Sequence, residues 1–176
     1  MSDDENTSEP KESTLCKSCG LCCTGHLFSW VRLNASELDH SEALGLNVIR
    51  SDPRQRGFTQ PCPVWQGVCT VYNSPYYPSG CRKYQCRLLK QMIEGKNLLP
   101  ESMQVVEQAI AMILEVGKLL PTSPNISFRE RLVAQMEEGN ADSDFHSKAE
   151  ALLAFFELHF GVNDFLDQPA EGMAGR

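Results

Sequence analysis

Cys16-Lys17-Ser18-Cys19-Gly20-Leu21-Cys22-Cys23 places four thiols in eight residues. A C-x2-C turn brings two sulfurs onto one cation, because the backbone curls and its amides point at the thiolates. A third cysteine two residues later extends the arc, as in ferredoxin-type runs that wrap a cubane. Adjacent Cys22 and Cys23 diverge in helix and strand alike, so both cannot readily ligate one mononuclear ion in regular backbone. One of the pair is expected to serve a second centre or to point inward as a buried thiol. Gly20 lets the loop approach a metal closely.

Working outward, four more cysteines follow at Cys62, Cys69, Cys81 and Cys86. Their spacings are not those of zinc knuckles, each of which would want C-x2-C. Cys62 precedes Pro63, like the remote ligand of many iron–sulfur motifs. Taken singly, each is as well explained as a small buried hydrophobe. Four such residues beside a C-x2-C-x2-C-C run are better explained as ligands. The reading is that at least six of the eight hold metal, with room for one spare.

The whole pattern resembles the YkgJ-type cysteine-cluster family. The residues that carry the likeness are the octapeptide, Cys62-Pro63, Cys69-Thr70-Val71-Tyr72 and Cys81-Arg82-Lys83-Tyr84-Gln85-Cys86. The resemblance covers residues 15–90 and implies a zinc- or iron-chelating domain whose ligands are the eight cysteines. A distant branch of that family includes flagellin lysine methylases. Members commonly carry Arg-Pro between the tyrosine and the third distal cysteine, where this chain has the longer loop Ser74-Pro75-Tyr76-Tyr77-Pro78. The resemblance implies a ligand set and no substrate.

Charge fits a thiolate-rich segment. The chain of 176 residues has a net charge of −7, yet residues 15–90 carry nine Lys/Arg against four Asp/Glu. That segment is +5 and the remainder −12. Eight thiolates with two divalent zincs, or with two [4Fe–4S] clusters of charge 2+, bring the segment close to neutral. Basic groups nearby help to keep sulfurs ionised. A pI near 5.1 argues against phosphate contact, so no nucleic-acid partner is expected. No basic, apolar leader opens the sequence and no run reaches about 20 apolar residues, so no membrane role is expected either. The expected address is a reducing cytoplasm, where clustered cysteines are ligands or redox groups more often than disulfides.

The fold expected is mainly α, with a small irregular cysteine-rich metal-binding domain containing a β-hairpin and a C-terminal helical bundle packed on it. Residues 1–14 are polar and acidic, and are read as a disordered tail. Residues 15–95 form the cysteine domain. Within it Asn34-Ala35-Ser36-Glu37 opens a short helix that stops at Gly45, with Leu38 and Leu44 facing inward. Cys62–Trp65 and Val68–Tyr72 are read as a hairpin around Gln66-Gly67. Arg82 to Glu94 is read as one helix.

Residues 96–167 are read as a helical extension and 168–176 as a flexible tail. Pro100 suits the start of a helix running to about Leu120, apolar on three sides and therefore expected to be largely buried. Ser127-Phe128-Arg129-Glu130 is a capping box, with Phe128, Leu132 and Met136 on one face of the helix it opens. Phe145, Ala149, Leu152, Leu153, Phe156 and Phe160 recur with helical period over about Asp144–Phe160.

Other side chains offer less. His26 could ligate zinc, although an ordinary loop histidine explains it better; His40, His146 and His159 are read as surface or packing residues. Trp30 and Trp65 are read as a cover that shields the site from water. Tyr72, Tyr76, Tyr77 and Tyr84 form either a binding patch or packing. No phosphate-binding Gly-rich loop, no nucleophile elbow and no Cys-x3-Cys-x2-Cys run of radical S-adenosylmethionine enzymes is present, so no cosubstrate or catalytic residue is assigned. Three functions stay open. The first is a redox, electron-transfer or metal-handling protein on iron–sulfur (4Fe–4S, favoured) or zinc. The second is a structural zinc module for a protein partner. The third is a part of an iron–sulfur-dependent methyl-transfer system.

Overall fold

Apolar residues at helical spacing build most of the chain. The computed structural model describes residues 11–138 and 142–163. Helix α7 (Ser143–Phe160) buries Phe145, Ala149, Leu152, Phe156 and Phe160 on one face, the period read from the sequence. Asp142 caps it, and Gly161 closes it with φ +73. It packs on α5 (Leu99–Gly117), whose buried side is Ser102, Val106, Ala109, Ile113 and Val116. Pro100 lies in the first turn of α5. Ser127 and Glu130 make the expected capping box at the start of α6 (Phe128–Glu137), the Glu130 carboxylate accepting from the Ser127 N–H and the Ser127 hydroxyl from the Glu130 N–H.

The cysteine segment leans on this layer. Helices α1 (Lys11–Cys19) and α4 (Arg87–Ile93) touch each other and α5. Leu15, Leu21, Leu27, Leu88, Leu89 and Met92 join the buried residues of α5 and α7 in one continuous core. The two parts of the sequence are therefore welded through apolar surface. Among the described residues, no helix is long and apolar enough to cross a membrane.

A three-stranded antiparallel sheet sits beside this core, in the order β1 (Trp30–Arg32), β3 (Gly57–Thr59), β2 (Val48–Ile49). Val31 faces Phe58 in the β1–β3 pair. A second cluster of Val31, Leu33, Leu46 and Phe58 fills the space beneath, with Leu38 and Leu44 of the α2 region (α2, Leu38–Ala43) packed against it. A one-turn 3-10 helix, Ala35–Glu37, precedes α2. The Asn34 N–H donates to the Glu37 carboxylate, and Gly45 follows α2 at φ +90.

Four expectations are corrected. The hairpin read at residues 62–72 is only an isolated bridge between Trp65 and Cys69, while β2 and β3 form the real antiparallel turn-back. The helix read across 82–94 is broken into α3 (Ser79–Lys83) and α4, with Tyr84 and Cys86 extended between them. Helix α5 is not covered on three sides, for Ile110 is 41% and Leu114 60% exposed. The first helix begins at Lys11, inside the segment read as a tail; residues 1–10 and 164–176, including the tail read at 168–176, lie outside the described residues.

Candidate metal centre

The octapeptide splits into a helix end and a tight turn. Cys16 and Cys19 lie three residues apart in α1, hence on one side of it. Gly20 then takes φ +69 and stops the helix. The turn that follows is closed by the N–H groups of Thr24, donating to the Gly20 carbonyl at 2.8 Å, and of His26, donating to the Leu21 carbonyl at 3.1 Å. Cys22 and Cys23 occupy its crest.

Two backbone hydrogen bonds tie the distal cysteines to this turn. The Cys62 N–H donates to the Cys23 carbonyl at 2.7 Å, and the Cys69 N–H to the Lys17 carbonyl at 3.3 Å. Trp65, between them, lays its indole against Gly20 so closely that a side chain there would overlap it. Cys81 rides on α3, which is held from beneath by Glu37. The Glu37 carboxylate accepts from the Ser79 N–H at 2.7 Å. Burial pushes that carboxyl up, but the Asn34 and Ser79 donors outweigh it and hold it below its ordinary range. Cys86 caps α4, its sulfur accepting from the Leu89 N–H at 3.4 Å.

None of the eight cysteines is in a disulfide, and all are partly buried. Burial pushes every thiol above its ordinary range, Cys16 to about 11 and Cys19 to about 12. At six of the eight, the charge of neighbouring sulfurs raises the thiol further. Cys22 feels Cys19, Cys23, Cys86 and Cys16. Cys23 feels Cys62, Cys81, Cys69 and Cys16. Cys19 feels Cys86 and Cys16; Cys81 feels Cys62, Cys69 and Cys16. In the packing, Cys19, Cys22 and Cys86 lie against the larger apolar cluster and Cys62 and Cys81 against the smaller one. Cys16 feels sulfurs of both groups of segments, Cys86 and Cys69.

Backbone amides work against burial at four of these sulfurs. The N–H groups of Leu21, of Val64 and Trp65, of Val71 and Tyr72, and of Leu88 and Leu89 lower the thiols of Cys19, Cys62, Cys69 and Cys86 in turn. Each donor comes two or three residues after its cysteine, the amide pattern of a ligating turn. Lys17 also lowers Cys69, and Lys90 lowers Cys86. Part of the basic excess serves elsewhere: Arg50 pairs with Asp39 and Glu42, and Arg54 with Asp52, at the surface.

A cavity of about 70 Å³ has Cys16, Cys19, Cys22, Cys23, Cys81 and Cys86 in its wall. A second, of about 140 Å³, shares Cys16, Tyr77, Cys81 and Tyr84 with it and adds Tyr72 and Arg82. Tyr77 belongs to both cavities. Burial, then the sulfurs of Cys81, Cys16, Cys69 and Cys23, drive its hydroxyl far above its ordinary range. Sequence reading grouped Tyr76 with it, but Tyr76 stacks on His40.

Among the described residues, no three His, Cys, Asp or Glu side chains converge on a point that could hold a metal ion as they stand. The sulfurs share walls and an electric field without closing on a single coordination point. His26 stays apart from them. It lies against Phe128 and beside the Thr24 hydroxyl, and burial followed by the Arg131 charge lowers it to about 4. Gln60, in the wall of the first cavity, was not singled out from the sequence; a buried amide two residues ahead of Cys62 is a signal only once burial is known. In comparisons with family models, curated proteins and solved structures, nothing matches this chain.

Proposed function

We propose that the chain is a metal-binding cysteine-cluster protein with two centres. One is held by Cys16, Cys19, Cys22 and Cys86, the other by Cys23, Cys62, Cys69 and Cys81. The observation that carries this reading is that Cys19, Cys22 and Cys86 pack against one apolar cluster and Cys62 and Cys81 against the other, with the Cys62 N–H bound to the Cys23 carbonyl. The donor set is all sulfur, with backbone amides aimed at four of the eight, which suits zinc or an iron–sulfur cluster and not a hard cation. The likeness to the YkgJ-type family points to the same ligands.

Between the two metals, iron–sulfur is the better fit. A zinc ion needs four sulfurs closed tightly about one point. A cubane, by contrast, suits the ferredoxin-like C-x2-C-x2-C run of Cys16, Cys19 and Cys22, and Cys62-Pro63 is like the remote ligand of many iron–sulfur motifs. An iron–sulfur centre supplies one-electron transfer, so the function we infer is electron transfer or redox sensing. The protein's own part is to exclude water with Trp65, Tyr77 and the shared apolar core, and to offer N–H donors to sulfur. A second reading, a structural zinc module, is favoured by Ile110 and Leu114 of α5 and Leu158 of α7, which stand exposed as a partner-binding surface would.

Anaerobic purification followed by a visible spectrum and assays for iron, sulfide and zinc tests these readings. Iron and acid-labile sulfide in equal amounts with a broad visible band are expected. Zinc at two per chain in a colourless protein would remove the electron carrier and leave the structural module. A chain that takes up neither metal would overturn both.

A further inference from the structure

Gln60 is pinned beside the cysteine turn. Its backbone N–H donates to the Ser29 carbonyl at 2.8 Å, and two residues later Cys62 is bound to Cys23. Its Cβ lies 3.3 Å from where a Cβ on Gly25 would stand. The side chain is 4% exposed and lines the cavity that holds six of the cysteines. Its Oε1 is shut off from solvent and has no hydrogen-bond partner. A buried acceptor without a donor is destabilising, and an apolar side chain of similar length would avoid that. The amide there suits a partner that arrives later.

Cys22 and Cys23 share that cavity wall with it. A thiolate bound to metal accepts hydrogen bonds and donates none, while a carboxamide carries two N–H donors at one end. A half-turn about the Cγ–Cδ bond exchanges Oε1 and Nε2, which differ little in size. We propose that Gln60 is a positioning residue of the metal site: its carboxamide turns to donate N–H to the thiolates of the Cys22–Cys23 corner once metal is bound. This rests on the two-centre reading above. N–H donors draw charge from sulfur, so they tighten metal binding and raise the energy of sulfur-to-metal charge transfer.

The test uses Gln60→Met, which removes both donors at similar length, and Gln60→Glu, which keeps the shape and replaces the donors by acceptors. Each full-length variant is loaded with iron and sulfide, or with cobalt where the wild type carries zinc. Two readouts follow: the charge-transfer band and metal affinity by chelator competition. Both variants are expected to shift the band to longer wavelength and to weaken affinity about 10–100-fold, the usual size of an outer-shell effect. An unmoved band with unchanged affinity overturns the role of Gln60, including where melting temperature falls, since that would mark packing alone. A wild-type chain that binds no metal overturns the two-centre reading and this inference with it.

Discussion

Gly20 joins a backbone requirement to a packing one. Its φ of +69 is a conformation in which a side chain costs about 1–2 kcal/mol, and a methyl group there would also displace the Trp65 indole. Gly20→Ala should therefore lower stability by at least about 1 kcal/mol and shift tryptophan fluorescence toward longer wavelength as Trp65 meets water. Chemical denaturation followed by fluorescence reads both. Cys19→Ala removes a sulfur whose Leu21 N–H partner is already in place. That variant should lose its metal or fail to yield soluble protein; normal yield with full metal content would count against ligation.

His26 gives a pH dependence with a definite sign. Burial first, then Arg131, lowers it from 6.5 to about 4 in the folded chain. Between those values the unfolded chain binds a proton that the folded chain does not, so stability is present above pH 6.5 and falls as the pH drops toward 4. The contribution is about 1.4 kcal/mol per pH unit in that window. His26→Gln should flatten the profile there relative to wild type, and an unchanged difference in slope would show that His26 is protonated in the fold.

At the scale of elements, α5 and α7 separate buried from exposed apolar positions. Phe156 is fully buried at the α7 face, and its replacement by Ala should cost about 3–5 kcal/mol. Leu158, two residues on, is 62% exposed, and Leu158→Gln should change stability by no more than about 0.5 kcal/mol. Thermal melts of the pair make the comparison. The period of α7 was legible because burial repeats along one helix face. That of α5 misled, since a helix rich in apolar residues on every side does not say which sides its neighbours will cover. The break between α3 and α4 has no glycine or proline to announce it. It exists because the sulfur of Cys86 serves as the cap of α4, a job that short polar side chains usually do.

For the whole molecule, the continuous core is decisive. Leu15, Leu21 and Leu88 lie in the same apolar cluster as Val106, Leu132 and Phe156. Limited proteolysis should not release a stable, soluble 97–176 fragment, because cutting it free would expose the face of α5 on which α1 and α4 sit. Recovery of such a fragment with native helicity would show that the two parts fold independently.

Local features were written in the sequence itself. The cysteine spacing marked eight candidate ligands, the capping boxes at Asn34 and Ser127 marked two helix starts, and the period over Phe145–Phe160 marked the last helix and its buried face. Each depends on residues within a turn or two of one another, where backbone geometry alone relates position to direction. Which cysteine segments come together was decided only by the tertiary structure. That pairing hangs on hydrogen bonds such as Cys62 to Cys23 and Cys69 to Lys17, between segments whose approach no spacing encodes. The strands, two or three residues long, carried too little alternation to be read before β3 brought β1 and β2 together. Gln60 gained its meaning in the same way, since an amide is ordinary until burial strips it of water.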